Sequence, residues 1–153
     1  MEEVIRVLDE IDPDAAERAR RRYSCFDHYG PDPQVYAYEA GLGGGEACER
    51  QVLEQLLEVQ HMTYEASRED GRADEDALFD AQQNARLVAN AEEYYRAMFR
   101  SGVRSWNLRD RHMAETIDAL VAHHEGKGEL PKVVVWAHNS HLGDARATEM
   151  GRV

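Results

Sequence analysis

"LPKVVVWAHNSH" occupies residues 130 to 141. Val133, Val134, Val135 and Trp136 follow one another with no polar residue between them, so the run lacks the alternation of a strand with one wet face. It predicts a strand over 132–137 that is buried on both faces, as in a parallel sheet covered by helices. Such a strand needs neighbours for its backbone N–H and C=O groups. The rest of the chain offers none of comparable quality, since "QVYAY" (34–38) reads equally well as helix or loop. The expected fold is therefore mostly α: a bundle of about four or five helices plus one C-terminal strand, a segment of an α/β protein whose other strands lie outside these 153 residues. An unpaired apolar strand invites association, so it is expected either to pair with a second copy in a homodimer or to tuck against the helices.

Outward from this run, helical periodicity dominates. Val4, Ile5 and Leu8 mark a first short helix, and Asp12 followed by Pro13 reads as an N-cap with proline at the first helical position, opening a second helix through Arg22. Residues 24–45 read as irregular, with a turn at Gly30-Pro31, and "GLGGGEA" (41–47) as a break. A long helix follows with Val52, Leu53, Leu56, Leu57, Val59 and Met62 as its apolar positions, ended by the acidic "REDGRADED" (68–76). From Glu75 to Arg100, Leu78, Ala81, Ala85, Val88, Ala91, Tyr95 and Met98 advance by three or four residues and form one stripe. Ser101-Gly102 ends that helix, and another from Leu108 to His124 is expected to bury Met113, Ile117, Leu120, Val121 and His124. The turn "GKGELP" (126–131) then leads to the strand.

The formal charge of −12, from 18 basic and 30 acidic residues, is spread along the chain. It argues against nucleic acid and anionic membranes as partners. No apolar run reaches the roughly 20 residues of a membrane helix, and no signal peptide is evident. The expectation is one cytoplasmic domain, 1–153. Cys25 and Cys48 have no CxxC spacing and read as reduced thiols without a bridge.

Ligand-binding residues of open α/β sheets gather beyond the carboxyl ends of strands, where His138 and His141 fall. One imidazole there can take a proton from water, and a second can bond a developing oxyanion. Two surface histidines in a loop, one of them capping a helix, is the plainer alternative. A metal site is a third: His138 and His141 with Asp144, or with His112, His123 and His124 brought in by folding. In "SWNLRDRHMAE" (105–115), Trp106 and Asn107 are expected at a helix entry, with Arg109 and Asp110 in its first turn, where an aspartate suits the helix dipole. Arg109 at a cleft edge would clamp a carboxylate or polarise a carbonyl; its plainer role is an exposed ion pair. "GLGGGE" has neither the preceding strand nor the lysine of a phosphate loop and reads as a connector. Gln83, Asn84, Asn90 and Glu93 satisfy helix neighbours or line a cleft, and Tyr94-Tyr95 read as packing residues.

Taken in order, "FDAQQNARLVANAEEYYRAM", "SWNLRDRHMAETI" and "KVVVWAHNSHLGDARATEMG" resemble the erythromycin esterase family of hydrolases, over about residues 20–151 and most specifically from Phe79 onward. The resemblance implies an α/β fold with a central sheet wrapped by helices and a cleft at the strand ends. It also implies hydrolysis of carboxylic esters or lactones by an activated water, without a cofactor. The best-known members open the lactone of macrolide antibiotics, a resistance chemistry. By motif, His138 and His141 match the family's HNxH histidines, and Arg109 with Asp110 match its RD pair, as catalytic residues. Trp106, Asn107 and Asn139 are placed at the substrate. The family's early GExxH element is not in this sequence. The chain therefore reads as an internal segment of a larger esterase, inactive or nearly so alone. The alternative is a non-catalytic helical module that binds a ligand or partner.

Overall fold

Asp12 caps the helix that follows it, its carboxylate accepting from the N–H groups of Asp14 and Ala15 at 3.0 and 3.1 Å, with Pro13 at the first helical position. The structure, a computed structural model, describes residues 1–43, 46–68, 74–100 and 102–143. Along these run α1 (Glu2–Ile11), α2 (Pro13–Tyr23), a 3-10 turn (Ser24–Tyr29), α3 (Pro33–Leu42), α4 (Glu49–Arg68), α5 (Glu75–Met98), α6 (Gly102–Gly126) and the short α7 (Asn139–Leu142). The stretch expected to be irregular thus contains α3. Asp32-Pro33 opens it with the same device as Asp12-Pro13, Asp32 accepting from the Gln34 N–H at 2.9 Å, and Gly43 closes it in the left-handed conformation.

α5 is the axis of the bundle: α1, α3, α4 and α6 all pack against it. Its buried line runs Leu78, Ala81, Ala85 and Ala89, and the small alanines let neighbouring helices approach closely. Val4, Val7 and Leu8 of α1, Ala15, Ala16 and Ala19 of α2, and Val52 and Val59 of α4 complete the core. In α4 the expected stripe is only partly right. Leu53 and Leu57 are exposed, while Gln55 is fully buried and accepts from Arg22 at 2.8 Å, because α4 meets α2 as well as α5.

Three further expectations are corrected. The first is the strand: residues 132–137 form no ladder, and no described residue lies in a strand. Val134 and Trp136 are 89% and 96% exposed. A strand persists only with a partner for its backbone, and every other long described segment already spends its backbone groups within helices. The second is α6, which starts at Gly102 and not at Leu108, and whose buried positions, Ser105 and Leu108, lie in its first two turns. Of the five positions expected inside, Ile117, Val121 and His124 are half-buried, as are His112, Thr116, Ala119 and His123, while Met113 and Leu120 face outward. The third is the cysteines. Cys25 and Cys48 are bridged, with Cα atoms 5.9 Å apart, because the 3-10 turn folds back beneath the start of α4.

Closing a loop of sequence separation 23 removes chain entropy from the unfolded state worth about 3 kcal/mol. Cys25→Ser/Cys48→Ser is therefore expected to lower the urea midpoint, and reducing agent should do the same to the native chain while leaving the double variant unmoved. Equal midpoints for all three would contradict a bridge that stabilises the fold.

α2 is tied to α4 by ions. Glu58, its side chain 17% exposed, accepts from Arg18 Nε at 2.7 Å and from Arg22. Burial alone would raise its pKa, but the bonds from Arg22 and Arg18 outweigh that and hold it below the usual carboxylate range. The unfolded chain then binds this proton more readily than the folded one, so the stabilisation is full above the unfolded pKa, about 4.3, and fades as pH falls through the lower folded value. The stability difference between the native chain and Glu58→Gln, from urea melts, is expected to shrink as pH falls below that range. A pH-independent difference would refute the assignment.

Candidate active site

The helical register of α6 puts Trp106 and Asp110, four residues apart, on one face, with Arg109 beside them. Because the helix begins at Gly102, Trp106 and Asn107 are not at its entry and Asp110 is beyond the first turn, so the dipole argument does not apply to it. What holds Asp110 is a histidine: His141 Nδ1 lies 2.6 Å from Asp110 Oδ1, across 31 positions of sequence. The His141 side chain is 15% exposed, and its ring stacks on Trp106 at 4.8 Å between centroids and 8° between planes. Carboxylate and stack together fix both the tilt and the tautomer of the ring. Nδ1–H donates to Asp110, so neutral His141 keeps its lone pair on Nε2.

The other motif histidine is used differently. His138 caps α7, its Nδ1 accepting from the Ser140 N–H at 3.2 Å and lying 2.8 Å from Ser140 Oγ. With Nδ1 an acceptor, its proton is on Nε2, the reverse of His141. Asn139, the first residue of α7, is exposed, and its carbonyl accepts from the Gly143 N–H at 3.0 Å. Asn107 is half-buried on α6. Arg109 lies over the faces of Trp106 at 5.4 Å and Tyr94 at 6.0 Å. The Trp106 indole N–H is buried without an acceptor among the described residues. His141, Trp106, Arg109 and Tyr94 thus form one layered array.

Sequence reasoning placed Tyr94 in the packing and so missed its contact with Arg109. The other histidines named for a metal are occupied elsewhere: His112 with Asn90, His123 with Asp76 and the Phe79 ring, His124 with Glu129. Among the described residues no group of three His, Cys, Asp or Glu side chains is placed to hold a metal ion, and Asp144 lies outside them.

A cavity of about 340 Å³ between α5 and α6 is lined by Arg109 together with Asn90, Tyr94, Leu108 and His112. Across the Leu87, Ala91 and Tyr95 ridge of α5 lies a more apolar one of about 390 Å³, walled by Phe26, Tyr29 and Tyr36, which holds none of the motif residues. No helix among the described residues is long and apolar enough to cross a membrane. The model of a protein family described as erythromycin esterase matches residues 1–153, the whole chain. No solved structure matches it.

Proposed function

We propose that this chain, which belongs to the erythromycin esterase family, acts in the hydrolysis of carboxylic esters or lactones, with His141 as the general base that Asp110 orients. The observation that carries the reading is the 2.6 Å contact between Asp110 and His141 Nδ1, which leaves the basic lone pair on Nε2. His141 Nε2 takes a proton from water as the water oxygen attacks the carbonyl carbon. The imidazolium so formed is stabilised by Asp110 and returns its proton to the departing alkoxide, leaving an acid and an alcohol. His138 Nε2–H and the Arg109 guanidinium are the donors offered to the tetrahedral oxyanion, and Arg109 also to the product carboxylate. Trp106, Asn107 and Asn139 are the residues assigned to contacts with the ester.

With no GExxH glutamate and histidine in the sequence, the 153 residues alone are expected to turn over unactivated esters slowly or not at all, and activated aryl esters best. The test is hydrolysis of an aryl ester panel by the chain and by its His141→Ala and Asp110→Asn variants, together with the ¹⁵N shifts of the His141 ring. A ring protonated on Nε2 in the native chain, or turnover indifferent to His141, would overturn the reading.

A further inference from the structure

α6 carries Arg104, Arg109 and Arg111, and their fates differ. Glu93 of α5 accepts from Arg104 at 3.0 Å and pairs with Arg111 at 3.5 Å. Asp110, the other acid at hand, is committed to His141. Among the described residues no carboxylate pairs with Arg109, in a chain where 30 acidic residues outnumber 18 basic ones. Its only described partners are the faces of Trp106 and Tyr94, which lie against the exposed guanidinium without neutralising it.

The 340 Å³ cavity beside it falls within the size range of small-molecule sites. None of the side chains lining it is a carboxylate. Asn90 Nδ2–H donates to His112 Nδ1 at 2.9 Å, so the neutral ring carries its proton on Nε2 and has that donor left to give. Burial lowers the His112 pKa and keeps the ring in this neutral form. One guanidinium, one imidazole N–H and walls of Tyr94, Tyr95 and Leu108 suit a single negative charge on an apolar body, and not the multiple charge of a phosphate.

We propose that this cavity binds a small carboxylic acid with an aromatic or branched apolar body, its carboxylate taken by Arg109 and the His112 Nε2–H, its body lying against Tyr94, Tyr95 and Leu108. The site needs neither Asp110 nor His141 and shares only Arg109 with the hydrolytic reading, so loss of the dyad leaves it testable.

The experiment is calorimetric titration of the chain with benzoate and with benzamide, its neutral isostere. Benzoate is expected to bind in the millimolar range or tighter, with benzamide at least about tenfold weaker. Arg109→Gln, shown folded by circular dichroism, should remove the preference, and His112→Leu should reduce it. His141→Ala should keep benzoate binding while losing hydrolysis, which separates failure of this site from failure of the dyad. The native comparison decides even where a variant does not fold. Benzamide binding as tightly as benzoate, no binding of either at about 10 mM, or a folded Arg109→Gln that keeps the preference would each overturn the proposal.

Discussion

Replacing His141 by alanine is expected to slow hydrolysis of an aryl ester by about 10²–10⁴-fold, the range that removal of a positioned general base produces. The loss should fall mainly on kcat, because the proton leaves the water only as the new bond forms, and an interaction made only in the transition state leaves ground-state binding little changed. The fold should survive, since α7 is a four-residue helix at the edge of the bundle and His141 touches α6 and not the core. Asp110→Asn is the sharper variant. An amide can still bond the ring but can offer N–H as readily as C=O, so it no longer dictates which imidazole nitrogen carries the proton, and the rate should fall while His141 remains in place. His138→Ala should cost less, because that ring caps α7 through Nδ1 and offers only a donor to the oxyanion. Rates for His141→Ala within about twofold of native, with unchanged ester affinity, would leave the dyad without a role in the chemistry.

How much of this was legible in the sequence divides by the range of the interaction. Local devices were plain: Asp12-Pro13 announces α2, and the three-and-four spacing from Leu78 to Met98 announces α5. Asp32-Pro33 carried the same message and was masked by Gly30 and Pro31 just before it. Both members of the dyad were visible as motif residues, but that Asp110 and His141 meet depends on how the 127–138 connection returns α7 to α6, which no periodicity encodes. In α6 the apolar positions were easy to mark, and Ile117 and Val121 are half-buried, but the polar contacts to α5 were not. His112 meets Asn90 there and His123 stacks on Phe79 at 4.0 Å, contacts that hydropathy alone does not mark. The bridge from Cys25 to Cys48 depends in the same way on the return of a 3-10 turn that the sequence did not signal. The valine run shows the converse: its β-propensity is strong, but a strand is a property of a pair, and Val134 stays in solvent without one.

The largest stability effect is expected at Arg96. Glu92 on α5 is one of few buried acids, its side chain 1% exposed. Its Oε1 accepts from the Tyr36 hydroxyl at 2.6 Å and from Arg96 Nε at 2.9 Å, and Oε2 accepts from Arg96 Nη2 at 3.3 Å. Arg96 also pairs with Glu49 at 2.8 Å, and the Tyr36 oxygen accepts from the Cys48 N–H at 3.0 Å. One buried carboxylate thus ties α3 and the start of α4 to α5. Burial, then the bond to Glu92, raises the Tyr36 pKa far enough to keep it a donor throughout the working range, and the bond to Glu92 likewise raises that of Arg96. Arg96→Ala would strand a buried negative charge on a single neutral donor, a change that costs about 3–5 kcal/mol. Against a total of roughly 5–15 kcal/mol for a domain, this should lower the melting temperature by about 10 °C or leave the chain largely unfolded. Removing the charge as well tests the cause: Arg96→Ala combined with Glu92→Gln should recover much of the loss, because an amide left in that site costs far less than an ion. If urea melts put Arg96→Ala within about 1 kcal/mol of the native chain, as for an ordinary surface pair, the network would have no structural role. If the double variant were no better than the single one, the damage would come from lost arginine packing and not from the stranded charge.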